Sequence, residues 1–292
     1  MKKSNSTKSS AKKSNNSVAN LKSTRKKMNA LEKKKIIASL TLMDDLFMQV
    51  VLEEQACTEY ILQTILDNAS LKLKEQRLQK RLSNLHGRAL VLDCLCTDDR
   101  GILYNIEVQN ASVGAIPKRA RYHASLMDTH SLKKGQNFSK LPESYVIFIT
   151  DKDVLGEGEQ MYQIERILRK SGSLFQDGSH ILYFNTARQD ENALGKLARD
   201  FKEANPKEIQ SEILSHRVAL LKEGKLDREG EKKMNVLLEK YRKKAVEEGI
   251  EKGENRLATL VGHLLDAERI EDLKKVSYDE VYREKLLKEF GL

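Results

Sequence analysis

The chain has 292 residues, of which 33% are charged, and a formal net charge of +9. This length allows one sizeable core with an appended module, and three cysteines, an odd number in a long chain, argue against a disulfide-stabilised secreted scaffold. No apolar run approaches the roughly 18 residues of a transmembrane helix and no signal-peptide core is present, so we expect a cytoplasmic protein without a membrane partner.

The positive charge is concentrated at the N-terminus. The first 40 residues hold twelve Lys or Arg and one Glu, which leaves 40 basic and 42 acidic residues in the remainder. The first 27 residues are rich in Ser, Asn and Lys and cannot bury enough apolar surface to offset their ordering entropy. We therefore predict a disordered basic tail over residues 1–35, with a helix beginning near Met28. Such a tail either contacts nucleic-acid phosphates or only keeps the chain soluble.

The next predicted element is an amphipathic helix from Asp44 to Asp67, with apolar residues at helical spacing. Asp44 stands three residues after Thr41, which is the spacing of a capping box. Capping is therefore one interpretation of Asp44. Glu53 and Glu54 are further acids on this helix, and the sequence does not choose among the three for a role in chemistry.

The next segment, Leu71–Leu85, is strongly basic, and we interpret it as a solvated helix face or as a patch that contacts a nucleic-acid backbone. A β-hairpin follows this segment. The first strand, Ala89 to Thr97, is apolar apart from Asp93. The second strand, Ile102 to Gln109, contains Glu107. A turn with the residue types of tight hairpin loops separates them, so two carboxylates lie on facing strands.

The loop length decides whether the two acids meet. A three-residue loop after Asp98, closed by a left-handed Gly101, pairs Asp98 with Ile102, so the two residue numbers of every cross-strand pair have the same even sum. Asp93 then lies directly opposite Glu107, with Gln109 on the same face. A two-residue loop would turn the acids to opposite faces. We predict the three-residue loop.

Two carboxylates held close together against an apolar sheet repel each other and lose hydration. A divalent cation relieves both effects, and hard oxygen ligands suit Mg²⁺ or Mn²⁺. The simpler alternative is that Asp93 and Glu107 are solvated surface acids of an ordinary hairpin. The apolar neighbours on both strands favour the metal site.

Downstream of the hairpin the pattern predicts a helix, three strands and then a helical region. Basic residues cluster at the start of the helix, where the helix dipole favours phosphates, and either grip a nucleic acid or face solvent. We assign no function to the two histidines on this helix, His123 and His130. The elements are a helix from Pro117 to about Leu132, strands at Tyr145–Thr150, Tyr162–Arg169 and Ser179–Asn185, and helices at Asp190–Ala204, Pro206–Lys222 and Glu229–Glu248.

The order of Asp93, a glycine turn and Asn105-Ile106-Glu107-Val108-Gln109 resembles the PD-(D/E)XK nuclease core. More narrowly, it resembles the Rpn-type recombination-promoting nucleases, a transposase-like family. The segments Asp44–Phe47, Pro117–Tyr122 and Leu132–Phe138 resemble further motifs of that family. The resemblance implies an α/β fold with a restriction-endonuclease-like core, in which helices flank a mixed sheet, and a helical C-terminal extension. The resemblance covers roughly Leu40 to Thr186, and the character of the sequence changes at about Arg188. We therefore predict a nuclease-like domain at residues 36–187 and a helical module at 188–292.

The resemblance also implies roles for individual residues. Asp93 and Glu107 would hold Mg²⁺ or Mn²⁺, and Asp44 would approach the same metal. Gln109 stands where the pattern usually has Lys, so it would orient the attacking water, and Arg119 would supply the missing positive charge.

We therefore expect a metal-dependent DNA endonuclease that forms a homodimer through its helical C-terminal module. The alternative is a catalytically weak or inactive nuclease-fold protein that acts as a DNA-binding or assembly scaffold.

Overall fold

The computed structural model describes residues 30–84, 87–110, 112–224, 228–277 and 279–292. The predicted disorder of the first 27 residues lies outside this part of the chain. Helix α1 (Ala30–Ser39) begins close to the predicted start near Met28 and belongs to one compact unit, and residues 40–292 form a second. Within the described residues no helix combines the length and apolarity that a membrane crossing requires.

The second unit contains one six-stranded sheet and a set of helices on and beyond it. The strands are β1 (Leu73–Leu82), β2 (Leu90–Asp98), β3 (Leu103–Gln109), β4 (Ser144–Thr150), β5 (Met161–Ile164) and β6 (Ser179–Asn185). The helices are α2 (Asp45–Val51), α3 (Gln55–Ile65), α4 (Pro117–Ser131), α5 (Ala193–Lys202), α6 (Glu212–Glu223), α7 (Arg228–Asp266), α8 (Ile270–Val276) and α9 (Glu280–Glu289).

The sheet is mixed, with the strand order β1-β2-β3-β4-β6-β5. Strands β1, β2 and β3 pair antiparallel, whereas β3, β4 and β6 run parallel, and β5 pairs antiparallel with β6 at the far edge. Strand β4 is almost continuously buried, as expected for a central strand with neighbours on both sides. The predicted α/β fold, a mixed sheet flanked by helices with helices at the C-terminus, is confirmed.

The β2–β3 hairpin has the predicted register. Cys94 lies opposite Ile106, and Thr97 lies opposite Leu103, so the residue numbers of each pair sum to 200. Gly101 has φ +87°, a backbone conformation that glycine adopts without a steric penalty. The three-residue loop is thereby closed, and the hairpin directs Asp93 and Glu107 to the same neighbourhood.

Helices cover the sheet on both sides. Helix α4 packs Ala120, Ala124 and Met127 against buried residues of β4 such as Phe148. Helices α2 and α3 contact β3 and β1 respectively, and α5, α6 and α7 contact α2 or α3 in turn. A separate small cluster joins the end of α7 to α8 and α9. The helices after β6 are therefore packed partly on the sheet layer and partly on one another.

Four predicted elements differ from the structure. The helix predicted over Glu229–Glu248 continues to Asp266 as α7. The helix predicted over Asp44–Asp67 is two helices, because the chain turns at residues 52–54. The basic segment Leu71–Leu85 forms edge strand β1 rather than a helix, and charged side chains are a usual means of protecting an exposed strand edge. The strand predicted over Tyr162–Arg169 is shorter, since β5 ends at Ile164.

Candidate active site

The hairpin brings the two predicted acids together at the middle of the sheet. The backbone N–H of Asp93 donates a hydrogen bond to Oε1 of Glu107, with 3.2 Å between nitrogen and oxygen. Glu107 is 0% exposed, whereas Asp93 is partly exposed. The pair therefore has one deeply held carboxylate and one that solvent can reach.

The surroundings of the pair disfavour two negative charges. Burial, and then the nearby charge of Asp93, raises the pKa of Glu107 to about 8. Burial raises the pKa of Asp93 to about 6, and the negative charge of Asp45 adds to that rise. The guanidinium of Arg119 acts in the opposite direction on both carboxylates. A further positive charge at this position would stabilise the doubly ionised pair.

Arg119, in the first turns of α4, connects the buried acid to Gln109. Its Nη2 lies 3.1 Å from Oε2 of Glu107, and its Nη1 lies 3.3 Å from Oε1 of Gln109 and 2.6 Å from the carbonyl oxygen of Gly114. A Cβ on residue 114 would stand 2.0 Å from that Gln109 oxygen, so glycine allows the close approach. The structure therefore groups three of the predicted site residues, Glu107, Gln109 and Arg119.

His123 also belongs to this group, although we assigned it no function from the sequence. It is 0% exposed, and its Nε2 accepts a hydrogen bond from Nε of Arg119 at 3.1 Å. Its Nδ1 lies 3.1 Å from the side-chain nitrogen of Asn105 and 3.6 Å from Oε1 of Glu107. Burial, with the charge of Arg119, lowers the pKa of His123 to about 4, so the ring is neutral at pH 7.

Two spacings in the sequence carry the signal for these residues. His123 is four residues after Arg119 on a helix and so shares its face, and Asn105 is two residues before Glu107 on a strand. His130 lies apart from the group, with Nε2 at 2.9 Å from the carbonyl oxygen of Ser83.

The acids around helix α2 have different hydrogen-bond and ion-pair partners. The carboxylate of Asp44 accepts hydrogen bonds from the backbone N–H of Thr41 at 2.7 Å and from its hydroxyl at 3.3 Å, as in a capping turn. Glu53 pairs with an arginine of α6 at 3.8 Å. Asp45, which we did not single out from the sequence, is the neighbour whose charge raises the pKa of Asp93. The Asp44 carboxylate therefore belongs to the turn that precedes α2, and it accepts no capping hydrogen bond from the first N–H groups of that helix. Asp45 is the acid of α2 whose charge acts on Asp93.

The donor set is suited to a hard divalent cation. Among the described residues no group of three or more His, Cys, Asp and Glu side chains is placed to hold a metal, so a closed zinc-type site is not formed there. Mg²⁺ commonly uses one or two protein carboxylates and keeps several water ligands. Asp93 and Glu107 fit that requirement, because a bound cation would offset the repulsion that their pKa values record.

Comparison with known families identifies a match over the sheet and its flanking helices. A family model described as "PD-(D/E)XK nuclease family transposase" matches residues 53–198, which is half of the chain. The matched span contains all six strands and the residues Asp93, Glu107, Gln109 and Arg119, and it begins after Asp44 and Asp45. Neither the curated proteins nor the solved structures gave a significant match. The match supports a nuclease-like function for the sheet and its flanking helices.

Proposed function

The chain belongs to the PD-(D/E)XK nuclease family transposases, and from this premise we propose that it is a metal-dependent DNA endonuclease of the recombination-promoting, Rpn-like type. The observation that carries the proposal is the hairpin register, which holds Asp93 and Glu107 within one hydrogen bond of each other. The substrate is a phosphodiester bond of DNA, and Mg²⁺ or Mn²⁺ is the expected cofactor.

Asp93 and Glu107 would hold the metal. A divalent cation at such a site lowers the pKa of a bound water and offsets charge on the phosphate. The two carboxylates differ in exposure, because Glu107 is fully buried and paired with Arg119, whereas Asp93 is partly exposed. Glu107 therefore fixes the position of the site, and Asp93 completes it from the solvent side.

Gln109 takes the position that is usually Lys in this nuclease pattern. An amide cannot act as a general base or carry positive charge, but it can donate a hydrogen bond. Since its Oε1 faces Arg119, its nitrogen is presented as the donor and can orient the attacking water. Arg119 supplies the positive charge that position 109 lacks, and it does so beside the same carboxylate.

A second candidate function is a nuclease fold that no longer cuts and instead binds DNA or organises an assembly. It is favoured by the ion pair between Arg119 and Glu107, which occupies a carboxylate oxygen that a metal would otherwise use. The absence of lysine at position 109 points the same way. Family membership and the raised pKa values of the acid pair favour the enzyme.

The discriminating experiment incubates purified protein with supercoiled plasmid and Mg²⁺. We expect cleavage by the wild type, loss of cleavage in both Asp93→Ala and Glu107→Ala, and full cleavage by Asp99→Ala. Asp99 is a matched control, because it is an exposed acid in the turn of the same hairpin. Equal cleavage by all four proteins would indicate a contaminating nuclease, and DNA binding without cleavage by the wild type would favour the scaffold.

A further inference from the structure

Gln79 has a backbone conformation that strand residues rarely adopt. Its φ is +50°, although it lies within β1 and is not glycine. Left-handed φ values cost free energy in residues with a Cβ, and they persist where the surrounding structure requires them. Gln176 is a second glutamine in the same region of φ, at +57°, but it lies in an exposed connection between β5 and β6. Strand geometry alone does not explain Gln79.

The left-handed residue stands opposite one of the two candidate metal ligands. In the β1–β2 ladder Leu78 pairs with Cys94, and Lys80 pairs with Leu92. In the same register Gln79 would pair with Asp93. That pair is missing from the ladder, although the pairs on both sides of it are formed. The interruption of β1 therefore coincides with Asp93.

The two strands also change faces at this point. Arg77 lines the same cavity as Lys80 and Leu82, whereas residues three apart on a regular strand lie on opposite faces. On β2, Leu92 and Leu95 both contact the core cluster beneath α4. Asp93 is one of the partly exposed positions that alternate with buried ones along β2.

The side chain of Gln79 contacts Asp93 directly. Its Nε2 donates a hydrogen bond to Oδ1 of Asp93, with 3.2 Å between the two atoms. The backbone N–H of Val108 lowers the pKa of the same carboxylate. Gln79 and Val108 approach from the two strands that flank β2, so together they restrict the rotation of the carboxyl group.

We infer that Gln79 is a positioning residue, whose left-handed backbone and side-chain amide hold the Asp93 carboxylate in the orientation that a divalent cation requires. The inference rests on the proposed function, since it concerns the same metal site. Gln79 does not touch the substrate in this role. It acts through Asp93, and the strain at residue 79 is retained because the interrupted strand directs the amide to the acid.

The test compares Gln79→Gly with Gln176→Gly by calorimetric titration of Mn²⁺ and by urea unfolding. Glycine removes the amide but adopts left-handed φ freely, so both variants should unfold at a urea concentration equal to or above that of the wild type. Gln79→Gly should bind Mn²⁺ about tenfold more weakly, a usual effect of losing a group that orients a metal ligand, and Gln176→Gly should bind like the wild type. Gln79→Asn, which keeps an amide and also tolerates this φ, should recover part of the affinity.

Unchanged Mn²⁺ affinity in Gln79→Gly would overturn the inference. If the wild type binds no Mn²⁺, the proposed metal site is wrong, and the interaction between Gln79 and Asp93 is then tested in the metal-free protein. The urea midpoints of Gln79→Gly, Asp93→Ala and the double variant form a double-mutant cycle. Midpoint shifts that fail to add support the positioning role, whereas additive shifts reject it.

Discussion

Glu107 shows at the scale of one residue how the fold prepares a charged site. A carboxylate without solvent contact is strongly disfavoured unless it is paired, and here Arg119 provides the pairing while Asp93 opposes it. The net result is a raised pKa, which means that folding disfavours the ionised form. The unfavourable free energy of ionising Glu107 therefore arises at the position where we expect a cation to bind.

The pH dependence of stability follows from that shift. The pKa of Glu107 rises from 4.5 to about 8 on folding, so between these values the folded state binds more protons than the unfolded state. Stability should therefore fall as pH rises from about 4.5 to about 8. Glu107→Gln, which cannot titrate, should show a shallower fall. Urea unfolding of both proteins at intervals from pH 5 to 8.5 in the presence of EDTA measures the two slopes, and parallel slopes would contradict the assignment.

Substitution of Arg119 should change the rate of DNA cleavage. Its guanidinium reaches Glu107, Gln109 and Gly114 at once, a fork that lysine cannot reproduce. Arg119→Lys should therefore reduce the single-turnover rate of plasmid cleavage by about 10²-fold, close to the effect of losing one preorganised donor. Arg121→Ala is the control, because Arg121 is an exposed arginine of the same helix. Equal losses in both variants would indicate a general electrostatic effect instead.

At the scale of elements, the hairpin was predictable because its register depends on local residues. The turn composition sets the loop length, and the parity of the register then determines which side chains meet. Strand β1 was not predictable in the same way, since its polar residues suit a solvated helix as well as an edge strand. The turn between α2 and α3 contains neither glycine nor proline, so the apolar pattern continues through it. The contribution of Gln79 depends on the interrupted pairing of β1 and lies beyond the sequence pattern.

Alanine substitutions at two glycines should separate effects on stability from effects on the candidate active site. Gly101→Ala places a Cβ in open space but at φ +87°, so it should lower stability by about 1 kcal/mol without changing cleavage. Gly114→Ala would place its Cβ against the end of the Gln109 side chain, which can move away. That variant should keep its stability but lose cleavage activity, because Gln109 is displaced from Arg119. Urea unfolding and plasmid cleavage of both variants separate the two effects, and the reverse pattern would contradict the site geometry.

At the scale of the whole molecule, the excess positive charge and the six-stranded sheet lie in different parts of the chain. Twelve of the basic residues lie in the first 40 positions, whereas the remaining 252 residues are close to neutral. The sheet order was not fixed by the sequence pattern, because parallel pairing of β3, β4 and β6 depends on long-range contacts. The helices after β6 were recognisable from their periodicity, but their packing on α2 and α3 was not. A separate role for residues 188–292, including homodimer formation, stays a prediction.

The basic tail has a role that salt dependence can test. All twelve basic residues of the N-terminal 40 lie within residues 1–35, together with one glutamate. If the tail binds DNA phosphates, it releases counterions, and the slope of log affinity against log salt becomes shallower by about 0.9 for each phosphate that the protein no longer neutralises. Deletion of residues 1–35 should therefore weaken DNA binding and flatten this slope by several units, while cleavage at saturating DNA persists. A tail with the same composition in scrambled order should restore the slope, because the attraction depends on charge rather than sequence. A slope that is unchanged by the deletion would exclude the tail from DNA binding and leave solubility as its function.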